Sequence, residues 1–187
     1  MIQNFKFENT KIEGLKLIHP LYAPDERGFF MKIYEKNIFE ENGIFLENAE
    51  DMVSFSKKGV LRGIHMQTKN PQDKLIRVLR GKVWDVVVDL RKDSKTYLEW
   101  EGFTLSDENR CGLYVPSGFL HGFLALSDDV VFSYRCGKAY EPEFDGGVRW
   151  DDKQLNISWP VNEVEELIIS DKDKNLPALE EFLRRNL

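Results

Sequence analysis

Short segments rich in β-branched and aromatic residues recur along the chain, and turn-forming residues separate them. Their spacing of about 8–12 residues predicts an all-β sandwich or barrel. The predicted strands are residues 15–18, 28–34, 75–78, 83–90, 99–105, 111–115, 122–126 and 130–136. In the strongest of them, 83–90, apolar residues cover both faces except where Asp85 and Asp89 fall on one side.

Helix is predicted only at the edges of this β-rich pattern. Residues 37–42 read as a short surface helix, and residues 176–187 place Leu179, Phe182 and Leu183 at helical spacing. Pro177 stands near the start of the second helix, where proline is tolerated. We expect this C-terminal helix to pack on the barrel.

Length and charge limit the classes of protein that fit. The 187 residues contain no linker, repeat or low-complexity stretch, which predicts a single domain over 1–187. With 26 basic against 32 acidic side chains, the net charge is −6, which argues against nucleic acid or an anionic membrane as partner.

Residues 1–10 are charged and no apolar run approaches the ~20 residues of a membrane helix, so we expect a soluble cytoplasmic protein. Cys111 and Cys136 lack metal-ligand spacing and are expected to be buried thiols.

Three histidines are candidates for chemistry. His19 precedes Pro20 in an extended segment and is expected to be structural. His65 ends the segment GVLRGIH at 59–65, and His121 ends the segment PSGFLH at 116–121. Glycines before both residues allow the backbone to bend and to direct a side chain inward from a strand.

The two histidine segments resemble the paired motifs of the cupin superfamily. Metal-binding cupins carry H-x-H followed by a glutamate, whereas here Met66 and Gln67 follow His65 and no acid stands before Gly81. A tight transition-metal site needs three or four N or O ligands, so the sequence predicts no metal site.

Other residues of this pattern suggest proton transfer in place of metal binding. Lys74 leads into a predicted strand, Arg62 lies near His65 in sequence, and Tyr134 lies in the last predicted strand. A pocket that holds His, Lys, Arg and Tyr suits proton transfer beside a carbonyl group, with the cation stabilising the enolate. The alternative is that Lys74 and Arg62 are solvated surface charges and Tyr134 belongs to the core.

Further motifs resemble the dTDP-4-dehydrorhamnose 3,5-epimerase family of nucleotide-sugar epimerases, in the family's order and over essentially the whole chain. They are DERGFF (25–30), VLRGIH (60–65), QDKL (72–75), DVVVDLR (85–91), LSDEN (105–109), PSGFLHGF (116–123), YRC (134–136), WDD (150–152), ISWP (157–160) and SDKD (170–173). The resemblance implies a cupin-type jelly-roll barrel with short peripheral helices. It also implies a cofactor-free homodimer that acts on a nucleotide sugar.

The resemblance also implies catalytic roles. His65 matches the general base, Asp173 the carboxylate paired with it, Tyr134 the proton donor on the opposite face of the sugar, and Lys74 the cation near the C4 carbonyl. A carboxylate bonded to an imidazole fixes its tautomer and raises its basicity. The implied reaction removes and returns the C3 and C5 protons of a 4-keto-6-deoxyhexose.

The resemblance implies a substrate-binding set as well, and part of that set departs from the family pattern. Where the family usually has a glutamate, this chain has Lys32, and Glu50 and Met52 replace the Gln and Asn of Gln-Asp-Asn. Because lysine only donates hydrogen bonds, a CDP-linked sugar is an alternative to a dTDP-linked one. A C3-only or C5-only epimerase and a non-catalytic sugar-binding cupin are further alternatives. The predicted binding residues are Arg27, Arg62, His121, Tyr140, Lys172, Lys32 and Glu50.

Overall fold

The computed structural model describes residues 2–47 and 49–186. Within these ranges no helix is both long and apolar enough to span a membrane. The helices are α1 (Lys36–Glu41), α2 (Asp171–Lys174) and α3 (Leu179–Asn186). The strands are β1 (Lys6–Asn9), β2 (Lys16–His19), β3 (Leu21–Asp25), β4 (Gly28–Lys32), β5 (Glu50–Ser56), β6 (Val60–Gln67), β7 (Lys74–Arg80), β8 (Lys82–Asp89), β9 (Trp100–Ser106), β10 (Gly112–Val115), β11 (Phe119–Ala125), β12 (Val130–Cys136), β13 (Asp145–Gly147) and β14 (Ile168–Ile169).

Two β-sheets face each other across the main core. The first sheet has the order β1-β2-β10-β7-β12-β5, and the second has the order β13-β6-β11-β8-β9 with β14 parallel to β6. Strands β3 and β4 form a separate hairpin. The apolar side chains between the sheets include Ile76 and Val78 of β7, Val87 of β8, and Phe123 and Phe132, whose rings stack at 4.5 Å. The predicted all-β, cupin-type jelly-roll architecture is confirmed.

The eight predicted strand segments all correspond to strands, namely β2, β4 and β7 to β12. The sequence did not predict β1, β3, β5, β6, β13 and β14. Of these, β5, β6 and β13 carry residues of the site described below. Both predicted helical segments contain a helix, α1 and α3, although α3 begins only at Leu179; Leu187 lies outside the described residues. As expected, α3 packs on the barrel, because Leu179 and Phe182 are buried against the outer face of the second sheet beside Val86 and Val88.

The two aspartates of β8 lie on the interior side of the sheet, in the alternation that also buries Val83 and Val87. Both carboxylates are fully buried. Asp89 accepts hydrogen bonds from Arg91, Ser94 and Thr96, and although burial opposes the effect, these bonds lower its pKa to about 2. Asp89 therefore holds the loop after β8, whereas Asp85 lies beside the cavity between the sheets.

Candidate active site

A cavity of about 440 Å³ opens between the two sheets, and side chains from both sheets line it. The second sheet supplies residues from β6 and β11, and the first sheet supplies residues from β5, β7 and β12. The polar lining consists of Ser54, Arg62, His65, Gln67, Gln72, Lys74, His121, Tyr134, Tyr140, Asp145, Ser170, Lys172 and Asp173.

A bulge in β6 lets two functional side chains face this cavity. In the ladder with β11, His65 pairs with His121 and Arg62 pairs with Phe123, so β6 has one residue more than its partner over this stretch. Gly63 lies in the bulge with a φ of +112°, and a Cβ there would lie 2.8 Å from the Gly122 Cα. Only glycine fits this close approach of two backbones.

His65 forms a dyad with a buried carboxylate. Its Nε2 lies 2.9 Å from Asp173 Oδ1, and the Gly63 N–H donates to Asp173 Oδ2 at 3.1 Å. Asp173 lies in α2, where its own N–H donates to Oγ of the capping Ser170. Although burial raises the pKa of Asp173, the hydrogen bond and charge of His65 outweigh this and lower it. Because Asp173 engages Nε2, Nδ1 is the imidazole nitrogen of His65 that can act as a base toward a substrate.

Tyr134 and Lys74 come from the opposite sheet. The Tyr134 hydroxyl shares a 3.4 Å hydrogen bond with Ser54 Oγ, and burial raises its pKa to about 12, which keeps the phenol protonated. Burial also lowers the pKa of the Lys74 ammonium. The cavity therefore has an imidazole base in one wall and a phenol and an amine in the other.

Two side chains at the cavity mouth, Tyr140 and Lys172, bind the same carboxylate oxygen of Asp145. The Tyr140 hydroxyl donates to Asp145 Oδ2 at 2.7 Å, and the Lys172 ammonium contacts the same oxygen. Although burial opposes it, the bonds from Lys172 and Tyr140 lower the pKa of Asp145, and the bond to Asp145 raises the pKa of Tyr140 to about 12. Arg62 is held by Ser56 Oγ at 3.1 Å and by the Phe55 carbonyl at 3.0 Å.

A base in one wall and an acid in the other can remove a proton from one face of a carbon and return a proton to the opposite face. The sequence profile of the dTDP-4-dehydrorhamnose 3,5-epimerase family matches residues 9–181. The chain belongs to this family.

Similar proteins in this epimerase family cover nearly the whole chain. The dTDP-4-dehydrorhamnose 3,5-epimerase of Methanothermobacter thermautotrophicus is 50% identical over 177 residues, which is 95% of this chain and 96% of that protein. The dTDP-6-deoxy-D-glucose-3,5-epimerase of Legionella pneumophila, crystallised with dTDP-4-keto-L-rhamnose, has a TM-score of 0.94 at 40% identity, covering 98% of this chain and 97% of that chain. A 3'-monoepimerase from Streptomyces bikiniensis, crystallised with dTDP-quinovose, has a TM-score of 0.86 at 33% identity, covering 94% of this chain and 89% of that chain.

The structure brings eight of the predicted epimerase residues together around the cavity. They are His65, Lys74, Tyr134, Asp173, Arg62, His121, Tyr140 and Lys172. The alternative that Lys74 is a solvated surface charge is wrong, because its ammonium is desolvated in the cavity wall, whereas Arg62 lines the same cavity with its side chain exposed. His19 lies outside it, between Cys111 Sγ at 3.5 Å and Glu8 Oε1 at 3.3 Å, as a structural residue would.

Three predicted binding residues of this family member lie elsewhere. Arg27 is in the β3–β4 hairpin, with its side chain 84% exposed and paired with Asp25 at 2.6 Å. Lys32 pairs with Glu35 at 2.7 Å. Glu50 lies behind the cavity wall, where its carboxylate accepts a 3.2 Å hydrogen bond from Gln72, a lining residue. Their roles in substrate binding stay predictions.

Sequence reasoning missed Asp85, Asp145 and Ser54. The sequence placed Asp85 on one face of a buried strand, but nothing in it paired the carboxylate with His121, whose Nε2 lies 2.8 Å from Asp85 Oδ2. Asp145 precedes two glycines and Ser54 lies in an unpredicted strand, so neither stood out. Across the described ranges, no cluster of three His, Cys, Asp or Glu side chains could hold a metal ion. Metal-independent activity stays a prediction.

Proposed function

We propose that this protein is a dTDP-4-dehydrorhamnose 3,5-epimerase that folds as one domain over 1–187. It inverts C3 and C5 of dTDP-4-dehydro-6-deoxy-D-glucose and so yields dTDP-4-dehydro-L-rhamnose. The observation that carries the proposal is the placement of the His65–Asp173 dyad on one wall of the cavity and of Tyr134 and Lys74 on the other. A sugar-binding protein without activity has no need of this acid–base set.

The proposed mechanism follows from this placement. Nδ1 of His65 removes the proton next to the C4 carbonyl, and the electron pair moves into an enolate whose oxygen the Lys74 ammonium stabilises. Asp173 stabilises the resulting imidazolium. Tyr134 then donates its proton to the opposite face of the same carbon, which inverts the configuration. Its pKa of about 12 keeps the phenol protonated until the enolate takes the proton.

The mouth of the cavity suits the nucleotide. The cation of Arg62 is hydrogen-bonded to Ser56, and the cation of Lys172 contacts Asp145. A guanidinium matches the oxygens of a diphosphate. Tyr140 has an exposed ring that can stack on the base. The cytosine alternative requires Lys32 to contact the base, whereas within one chain its ammonium is bound to Glu35. We therefore favour dTDP.

We propose that the protein acts as a homodimer in the cytoplasm. Val53 and Phe55 of β5 and Leu79 of β7 are exposed hydrophobic residues on the first sheet, and Phe29 and Phe30 of the β3–β4 hairpin are also exposed. A second copy that covers such apolar groups would remove them from water. In sedimentation experiments the wild type should be a dimer and Phe55→Glu a monomer. A monomeric wild type would contradict the proposal.

The activity is tested by following the conversion of dTDP-4-dehydro-6-deoxy-D-glucose by NMR. The wild type should form the L-rhamno product, and His65→Gln should lose about 10²–10⁴-fold in rate because the base is gone. His19→Gln is the matched control, since His19 is also half-buried beside an acid but lies outside the cavity. Binding of the sugar nucleotide without any conversion by the wild type would support the non-catalytic alternative instead.

A further inference from the structure

A second histidine–carboxylate pair, which the proposed mechanism does not use, lies at the cavity, with His121 in its lining and Asp85 bonded to His121. His121 lies directly opposite His65 in the β6–β11 ladder, and its Nε2 is 2.8 Å from Asp85 Oδ2. The pair lies deeper than the His65–Asp173 dyad, because His121 is 6% exposed and Asp85 is fully buried. A buried carboxylate is costly unless it has partners, so its presence beside the reacting groups requires a reason.

Asp85 has one engaged oxygen and one free oxygen. Its Oδ1 is buried and lacks a hydrogen-bond partner among residues 2–47 and 49–186. Burial raises the pKa of Asp85, and the charges of His121 on β11 and Lys74 on β7 act in the opposite direction. In the same ranges no bond from protein to His121 Nδ1 is found, so Nδ1 is the nitrogen left for the cavity that His121 lines.

Burial lowers the pKa of the Lys74 ammonium, and the acidic groups around it oppose this shift. The groups that favour its charged form are Cys136 on β12, Asp145 on β13, Asp85 on β8 and Glu50 on β5. Asp145 is already bound by Lys172 and Tyr140, and Glu50 is bound by Gln72. Asp85 is the fully buried carboxylate of this set, and it has an oxygen to spare.

We propose that Asp85 is a positioning residue for the epimerisation. It holds His121 with Nδ1 toward the cavity and provides the buried counter-charge of Lys74, so that the amine is an ammonium when the enolate oxygen develops charge. Asp85 acts through these two side chains and does not contact the substrate. This inference rests on the proposed function.

Asp85→Asn tests the charge, because an amide of the same size can still accept the His121 hydrogen bond. We expect kcat to fall about 10- to 100-fold with KM changed less than about threefold, since the lost effect belongs to the transition state. The basic limb of the kcat–pH profile should move to lower pH, because Lys74 without its counter-charge loses its proton at lower pH. Unchanged kcat and an unchanged profile would overturn the proposal.

Asp89→Asn is the matched control, because Asp89 lies on the same strand and face and is equally buried, but its partners are Arg91, Ser94 and Thr96. It should lower thermal stability and leave the kcat–pH profile of the folded enzyme as in the wild type. The same profile shift in Asp89→Asn would overturn a specific role for Asp85. An inactive wild type would instead contradict the proposed function itself.

A second pair of variants covers the case in which Asp85→Asn does not fold. Lys74→Met/Asp85→Asn removes both buried charges and leaves no unpaired charge between the sheets. Because the amide still accepts the His121 hydrogen bond, the lost charge acts through Lys74, and the double variant should exchange the substrate's α-protons with solvent within about twofold of Lys74→Met alone. A further loss of tenfold or more in the double variant would overturn the proposal.

Discussion

Replacing Asp173 by asparagine tests how the catalytic base is controlled. In the folded chain the Gly63 N–H donates to Asp173 Oδ2, and His65 Nε2 lies against Oδ1. In Asp173→Asn the amide oxygen must turn toward the Gly63 N–H, because two donors cannot pair. The amide NH₂ then faces His65 Nε2 and donates to it. This moves the imidazole proton to Nδ1, which is the nitrogen that the mechanism uses as base.

The size of the loss follows from these two contacts. To act as the base through Nδ1, the imidazole must carry its proton on Nε2, which then meets the amide NH₂ donor to donor. This mismatch costs about 1–3 kcal/mol, which corresponds to roughly 5- to 150-fold in rate. The missing carboxylate also no longer stabilises the imidazolium, and a hydrogen bond to a charged group contributes a further ~1.5–3 kcal/mol. We therefore expect Asp173→Asn to lower kcat by about 10²–10⁴-fold, with substrate binding little changed.

The assay is solvent deuterium exchange at the substrate's α-carbons, which reports proton removal directly. Asp171→Asn is the matched control, because Asp171 lies in the same helix with its side chain 97% exposed and paired with Lys174 at 3.7 Å. The control should exchange at the wild-type rate. Exchange by Asp173→Asn within about threefold of the wild type would refute the assignment of the dyad.

Four further predictions concern the acid, the fold, metal ions and the nucleotide. Tyr134→Phe should impair epimerisation more than proton exchange, because removal of the α-proton does not need the phenol; equal loss of both would contradict its role as donor. Asp89 has a pKa of about 2 in the folded chain against an ordinary 3.8, so it should stabilise the fold by roughly 2 kcal/mol above about pH 4 and lose this contribution as the pH falls toward 2. Thermal unfolding of Asp89→Asn should accordingly differ from the wild type at neutral pH and approach it near pH 2. Dialysis against EDTA should leave the rate unchanged, and a loss that zinc, iron or manganese restores would contradict this. Calorimetry should find tighter binding of dTDP than of CDP, and the reverse order would revive the cytosine alternative.

The barrel could be predicted from the sequence because most of its strands either alternate apolar and polar residues or are apolar throughout, and turn-forming residues follow them. This prediction failed at β5 and β6 for a physical reason. Glu50–Ser56 mixes charged and hydroxyl residues with exposed apolar ones, and β6 contains a glycine bulge that breaks the period of two. The bulge is also the feature that aims Arg62 and His65 into one cavity, so the pattern is weakest where the site is built.

Local sequence motifs identified individual residues of the candidate site but not the pairings between distant residues. Asp173 and His65 are far apart in sequence, and only the family resemblance joined them before the structure placed them 2.9 Å apart. Asp85 and His121 had no such link, because a pairing across two strands leaves no local pattern. Arg27 and Lys32 were predicted from motifs in a hairpin, and they lie outside the cavity because β3 and β4 pair with each other and join neither of the two large sheets.

The central claim is that one cavity inverts two carbons of a dTDP-linked 4-keto sugar. It is tested most directly by incubating the wild-type protein with dTDP-4-dehydro-6-deoxy-D-glucose in deuterated water and locating deuterium in the product by NMR. We predict deuterium at both C3 and C5 of the L-rhamno product, because each inverted carbon takes its new proton from the solvent-exchanged Tyr134. Deuterium at only one carbon would identify a monoepimerase, and deuterium at neither carbon would contradict the proposed function.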